Sequence, residues 1–349
     1  MNDPHAKRKS DHLSICAAED VAAGLSTGLE RCRLVHCALP ELDLAEVDLR
    51  TRFLGRELRA PLLVSAMTGG TARARRVNHN LARAAQALGL AMGVGSQRAA
   101  IENPRQASTY QVRAVAPDVL LLANLGAVQL NNGYGLAECR RAVEMIEADA
   151  LVLHLNPLQE ALQEQGNVNF ARLVDKIAAV CRGLTVPVII KEVGWGLSEN
   201  VARQLLQAGV AALDVAGAGG TSWSQVEGLR SADPLRARVA QAFRGWGIPT
   251  ADAIVQARRA APNLPLIASG GIYCGIETAI ALALGADLVG LARPLLAPAL
   301  RSAAAVEEEL RVIIETLRLA MFAAGQRDIA ALKTAPLTLA PPGSGSASP

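Results

Sequence analysis

Ala150-Leu151-Val152-Leu153-His154-Leu155-Asn156-Pro157-Leu158-Gln159-Glu160 sets an imidazole, two amides and a carboxylate at the end of an apolar run. Ala150 to Leu155 reads as a buried parallel strand, and Pro157, which lacks a backbone donor, stops it. Polar groups massed where a core strand ends are costly to bury unpaired, so their position points to a ligand, a metal or a reaction.

Working outward, the same pattern recurs. From Pro61 onward, eight apolar runs each end in a Gly or polar cluster and are followed by a segment of helical period: Leu62 to Met67, Leu90 to Gly95, Val119 to Leu125, Ala150 to Leu155, Val188 to Val193, Ala211 to Ala216, Leu264 to Ala268 and Asp287 to Leu291. Eight βα units close a barrel, so the reading is an α/β protein with a (β/α)8 TIM barrel over residues 61–334. Ala74 to Leu88 and Ser198 to Ala208 are amphipathic, with Ser198 as an N-cap and Gly209 as a stop. The sixth connection, Gly217 to Asn263, has room for a long loop and two helices, a common form of lid. Residues 1–60 form an extension whose alternating stretch Leu49 to Leu58 predicts a hairpin across the barrel floor. The Pro, Gly and Ser content after Thr334 marks residues 335–349 as a loose tail. Beyond the βα alternation no repeated sequence unit is evident.

Hydrophobic residues make up 51% of the 349 and aromatics only 3%, the mixture of close-packed helices laid over aliphatic strands. The formal charge of +3 is too small and dispersed for a nucleic-acid partner. Cys16, Cys32, Cys37, Cys139, Cys181 and Cys274 contain no Cys-x-x-Cys pair and read as reduced thiols, which suits the cytoplasm. The N-terminus lacks a signal-peptide core, and no uncharged run approaches the ~18 residues of a membrane span. A soluble cytoplasmic protein is expected.

The strand ends carry the chemistry. Ala268-Ser269-Gly270-Gly271-Ile272 closes strand seven and Gly290-Leu291-Ala292-Arg293 closes strand eight; adjacent glycine-rich ends at this corner suit a phosphate, with Arg293 adding charge, where the plain alternative is a pair of tight turns. Strand six ends in Ala216-Gly217-Ala218-Gly219-Gly220-Thr221, a backbone able to wrap a ligand or to hinge the long loop. Lys191, at the end of an apolar strand, is a Schiff-base nucleophile, a charge beside a bound ring, or half of an ion pair with Glu192. Alternation sends Glu192 to the opposite face, and the nearby phosphate corner favours the cofactor contact. Ala66, Met67 and Thr68 after strand one are suited to line a flat ring, Ser96, Gln97 and Arg98 after strand two to grip an anion, and Asn124 to bond a ring edge. Taken alone, Arg8-Lys9-Ser10-Asp11-His12 reads as a solvated charge run and Arg73-Ala74-Arg75-Arg76 as helix surface.

Together these strings resemble the type 2, FMN-dependent isopentenyl-diphosphate isomerase family of FMN-binding TIM barrels. The resemblance spans about Arg8 to Leu296. It is carried by Arg8-Lys-Ser-Asp-His12, Ala66-Met-Thr-Gly-Gly70, Ser96-Gln-Arg98, Ala123-Asn-Leu-Gly126, Lys191-Glu-Val-Gly194, Gly219-Gly-Thr221 and Ser269-Gly-Gly271, and most specifically by His154-Leu-Asn-Pro-Leu-Gln-Glu160. It implies that Ala66, Met67, Thr68, Ser96, Asn124, Lys191, Thr221, Gly270, Gly271, Ile272, Ala292 and Arg293 bind FMN. It also implies that Arg8, Lys9, His12, Ser96, Gln97, Arg98, Asn156 and Gln159 meet the substrate and that Glu160 holds Mg2+. The family usually has an acidic pair before the first histidine, where this chain has Ser10-Asp11.

The implied reaction is a 1,3-proton shift between isopentenyl and dimethylallyl diphosphate, with FMN reduced by NADPH as the acid and base, Lys191 beside the ring, and Gln159 and His154 orienting substrate or relaying a proton. The alternatives are an FMN-dependent oxidoreductase of the 2-hydroxyacid oxidase or dihydroorotate dehydrogenase kind, and a non-catalytic FMN-binding protein. Family members form tetramers or octamers, and the apolar segment Val306 to Ala324 is a candidate interface of a homo-oligomer.

Overall fold

A computed structural model describes residues 4–339 of the chain. Eight parallel strands, β1 (Leu62–Val64), β2 (Ala91–Gly93), β3 (Leu120–Gly126), β4 (Ala150–His154), β5 (Val188–Lys191), β6 (Ala212–Asp214), β7 (Leu266–Ser269) and β8 (Leu288–Leu291), pair in chain order, and β8 pairs back to β1 to close a barrel. Helices cover its outer face, as expected of a TIM barrel. Several apolar runs read from sequence outlast the ladder by two or three residues, because their last residues leave the hydrogen-bonded register and bend into the loops above.

Alternation along each strand decides what fills the barrel. Leu63, Ala91, Leu120, Leu122, Ala150, Val152, Ile189, Ala212, Ile267 and Leu288 form one interior cluster, and Phe53 and Leu58 of the antiparallel hairpin Thr51–Phe53/Arg56–Leu58 join it from below. The other parity faces the helices and belongs to a second, larger core. Two residues further along the inward-facing parity come Ser65, Asn124, His154, Lys191, Asp214 and Ser269. The barrel therefore changes from hydrocarbon to polar one layer below its mouth.

The helices start and stop where their ends are chemically capped. Thr71 accepts from Ala74 N at the start of Ala72–Leu88, and Ser198 accepts from Val201 N at the start of Glu199–Gln207, with Gly209 left-handed just beyond the end. The sixth connection holds three helices, not two: Trp223–Arg230 and Pro234–Ala242 form the added pair, and Thr250–Ala260 is the barrel's own covering helix.

One half-buried circuit occurs twice, half a barrel apart. Arg113 donates to the carbonyls of Ala116, Pro117 and Val119 and to Asp149 Oδ2, which also accepts from Leu121 N at 2.8 Å. Arg258 donates to the carbonyls of Ala261, Pro262 and Leu264 and to Asp287 Oδ2, which accepts from Leu266 N at 2.8 Å. Each circuit ties the entry to one strand (β3, β7) to the entry to the next (β4, β8). The sequence shows no evident repeat beyond the βα alternation because this repeated unit keeps only an Arg, an Ala-Pro and an Asp, too few positions to stand out in the chain.

The extensions wrap the barrel. After the N-terminal helix Pro4–Ala18, the chain is strapped to the glycine-rich loop of β6 through Ala23 N to Gly220 O and Ser222 N to Val21 O. Leu337–Leu339 pairs antiparallel with Cys32–Leu34, so the loose tail expected from residue 335 does not begin there. A backbone ladder, invisible to composition, holds those residues. The remaining tail, 340–349, lies outside the described residues.

Candidate active site at the mouth of the barrel

The C-terminal ends of the strands, the loops beyond them and the N-terminal helix enclose one cavity. Arg8, Lys9 and His12 line it from the helix; Ser65, Ala66, Met67, Thr68, Ser96, Arg98 and Asn124 line it from β1 to β3. The far wall holds His154, Asn156, Gln159, Glu160, Lys191, Thr221, Gly270, Gly271, Ile272, Ala292 and Arg293. Every candidate residue drawn from the sequence is there except Gln97. That side chain is fully buried elsewhere: Nε2 donates to Ala142 O at 2.8 Å and Oε1 accepts from Asn124 N at 2.9 Å. Its amide pins the end of β3 instead of meeting a ligand, which corrects its assignment as a substrate contact.

The Arg8-to-His12 segment is not a solvated run. It lies on a helix laid over the cavity, held by Arg8 Nη1 to Gln163 Oε1 at 3.2 Å, Arg73 Nη1 to Ser14 Oγ at 3.2 Å and His12 Nε2 at 2.9 Å from Glu227 Oε1. The His12 and Trp223 rings meet in a T-shaped contact, with centroids 5.2 Å apart. Burial, with Arg8 adjacent, pulls the Lys9 ammonium down to about 8.

Across the barrel top, His154 Nδ1 lies 2.8 Å from Asn124 Oδ1, an acceptor only, so Nδ1 carries the proton when the ring is neutral. Burial, reinforced by the charges of Lys9 and Lys191, drives this imidazole down to about 3, so it is neutral at physiological pH.

Gln159 Nε2 donates to Glu227 Oε1 at 3.0 Å, and its Oε1 accepts from Asn156 Nδ2 at 3.2 Å. Burial works to raise the Glu227 carboxyl, but His12, Gln159 and Arg230 outweigh it and hold the group down at about 2. Glu160 accepts from Asn156 Nδ2 at 3.1 Å, Gln163 Nε2 at 2.8 Å and Asn167 N at 2.6 Å. No group of three or more His, Cys, Asp or Glu placed to hold a metal occurs among the described residues. Glu160 is thus a single buried carboxylate on the cavity wall.

Lys191 does not pair with Glu192. Its Nζ lies 2.9 Å from Asp214 Oδ2 and donates to Ser269 Oγ at 3.1 Å. Glu192, on the opposite face, accepts from the N–H groups of Val193, Gly194, Trp195 and Gly196 at 2.5–3.2 Å and so folds the loop above β5. At the β7/β8 corner, Gly270 and Gly271 have φ of 105° and 68°. A Cβ on Gly270 would lie 2.1 Å from Gly217 O, so glycine here lets two ligand-facing loops lie backbone to backbone. Arg293 opens the helix Arg293–Arg301, and its Nη1 is buried with no hydrogen-bond partner. A buried guanidinium donor left unmatched marks a place for an anion.

Sequence reading missed Trp223, Glu227 and Arg230 because they sit on a helix inside the long connection, where charged residues ordinarily face solvent. It also missed Asp214, although an acid inside the apolar run Ala211 to Ala216 was a visible signal.

The FMN-dependent dehydrogenase family model matches residues 13–118 and 130–339. Among curated relatives, isopentenyl-diphosphate delta-isomerase of Synechococcus sp. is 55% identical over 94% of each chain, and that of Xanthobacter autotrophicus 56% identical over 95% of this chain and 97% of its own. Among solved structures, a mandelate oxidase variant with an FMN adduct superposes with a TM-score of 0.65 at 19% identity, covering 94% of this chain and 91% of its own, which speaks to the fold alone. By its family match and by relatives alike over nearly their whole length, the chain belongs to the FMN-dependent dehydrogenase family and, within it, to the isopentenyl-diphosphate delta-isomerases.

Proposed function

We propose that the protein interconverts isopentenyl and dimethylallyl diphosphate by a 1,3-proton shift, with reduced FMN as acid and base and Mg2+ on the diphosphate. The observation that carries this reading is a cavity with two anion ends on opposite sides of the barrel. One is the unmatched Nη1 of Arg293 beside Gly270 and Gly271, after β7 and β8. The other gathers Arg8, Lys9 and Arg98 with Glu160, which follows β4. A flavin phosphate needs one such end; a diphosphate substrate accounts for the second.

The residues present fit FMN: Arg293 would take the phosphate, Ala66, Met67 and Thr68 the ring face, and Lys191 and Asn124 its polar edge. When bound and reduced, FMN supplies the acid and base that add a proton to the alkene and remove another from the allylic carbon. The chain's own groups do the rest. His154, neutral and fixed by Asn124, is a poor proton donor at neutral pH and serves orientation. Gln159, held between Asn156 and Glu227, fixes the alkene against the ring, and the N-terminal helix excludes water. Glu160 fits Mg2+ in the usual way, one carboxylate with the substrate's phosphate oxygens and water completing the shell. Reading NADPH as the reductant, the cytoplasm as the location and a homo-oligomer as the assembled form belongs to the same proposal; the helix Ala303–Ala323, with Val312 and Leu319 exposed, offers a face for assembly.

The test is stoichiometric. Protein reduced once under anaerobic conditions with Mg2+ should turn over many equivalents of isopentenyl diphosphate for each NADPH consumed. One NADPH oxidised per product would instead make it an oxidoreductase.

A further inference from the structure

Asp214 lies at the end of β6, only 2% exposed, and does not line the cavity. Its neighbours on β5 and β7, Lys191 and Ser269, do. Lys191 and Asp214 are register partners in the ladder, both on the inward parity. The hydrogen bonds run one way: Ser269 Oγ donates to Asp214 Oδ1 at 2.6 Å, Lys191 Nζ donates to Ser269 Oγ at 3.1 Å, and Lys191 Nζ meets Asp214 Oδ2 at 2.9 Å. An ammonium has three donors. Two are spent on Asp214 and Ser269, and the third is left for the cavity that Lys191 lines.

The structure therefore assigns Asp214 a part in the reaction as a positioning residue. We infer that it cancels the charge of Lys191 and fixes its direction, so that Lys191 meets the bound flavin as a hydrogen-bond donor with no net positive charge behind it, and Asp214 thereby sets the flavin's reduction potential. This rests on the reading that FMN lies over Lys191. The physical reason is the low dielectric of the barrel top. A negative charge buried beside the ammonium of Lys191 lowers the flavin's affinity for electrons, and reduction places further negative charge on the ring. The phosphate would be held by Arg293, which follows β8 and makes no contact with Asp214 in the hydrogen-bond network of Lys191 and Ser269, so altering Asp214 separates electron affinity from cofactor retention.

The experiment is a double-mutant cycle read by the midpoint potential of bound FMN at fixed pH: Asp214→Asn, Lys191→Met and the two combined. Asp214→Asn should favour the reduced flavin at least tenfold, about 30 mV for a two-electron couple. Lys191→Met should shift it at least tenfold the other way, and the double variant should return to within a fewfold of the unaltered protein. If Asp214→Asn does not fold, Lys191→Met and the double variant still decide, since only a cancelled pair predicts loss followed by recovery. Unmoved potentials in FMN-loaded variants overturn the proposal, as does a set in which only the double variant folds, which would reduce the pair to a structural ion pair. Failure of the unaltered protein to bind FMN would instead overturn the cofactor reading on which the proposal stands.

Discussion

Gln159 is where the geometry makes its sharpest demand on a single side chain. Its amide is held at both ends, by Asn156 and by a Glu227 carboxylate that stays ionised. Gln159→Asn withdraws the amide by one methylene, and displacement of about 1 Å costs on the order of 100-fold in a well-aligned site. We expect a fall in kcat of that size with the flavin absorbance of the purified variant unchanged; full turnover would remove Gln159 from the mechanism. His154 carries a pH prediction. Its folded value, about 3, lies below its unfolded value near 6.5, so its contribution to stability is complete above pH 6.5 and is lost as pH falls toward 3. The melting temperature should fall from pH 7 to 5, and His154→Gln should flatten that slope; an unaltered slope would show that the ring is not held neutral. Residues at strand ends were legible because parity and position together mark them. Glu227 and Trp223 were not, since a residue on a connecting helix shows its partners only once the connection is folded back over the mouth.

At the scale of elements, all eight strands were readable, because a parallel strand buried on both faces must be aliphatic throughout. Their ends were not, because a residue such as Val193 is as apolar in a cavity wall as in a ladder. The paired circuits of Arg113 and Arg258 predict equal importance for two residues in unrelated surroundings. Each satisfies four backbone carbonyls and one carboxylate, so Arg113→Ala and Arg258→Ala should each cost about 3 kcal/mol, measured by chemical denaturation. A loss below about 1 kcal/mol in either would mean that water replaces the guanidinium and the circuit is incidental. Sequence showed neither circuit, because the repeat is one of hydrogen bonds with almost no shared residues.

At the scale of the whole molecule, the barrel divides the work by height and by side. Hydrocarbon fills it from the Phe53 and Leu58 floor upward, a polar layer caps that core, and the N-terminal helix lines the mouth. On the proposed reading, Arg293 after β8 takes the flavin phosphate and Arg8, Lys9 and Arg98, with Glu160 after β4, take the diphosphate, with a flat ring and a short alkene between them. That division leads to the measurement that bears most directly on the proposed function. Isopentenyl diphosphate incubated in D2O with the anaerobically reduced, Mg2+-loaded protein should yield prenyl diphosphates carrying solvent deuterium at the carbons that exchange protons, with deuterium also entering recovered starting material. Recovery of both diphosphates free of deuterium, or product formed only as NADPH is consumed, would contradict it.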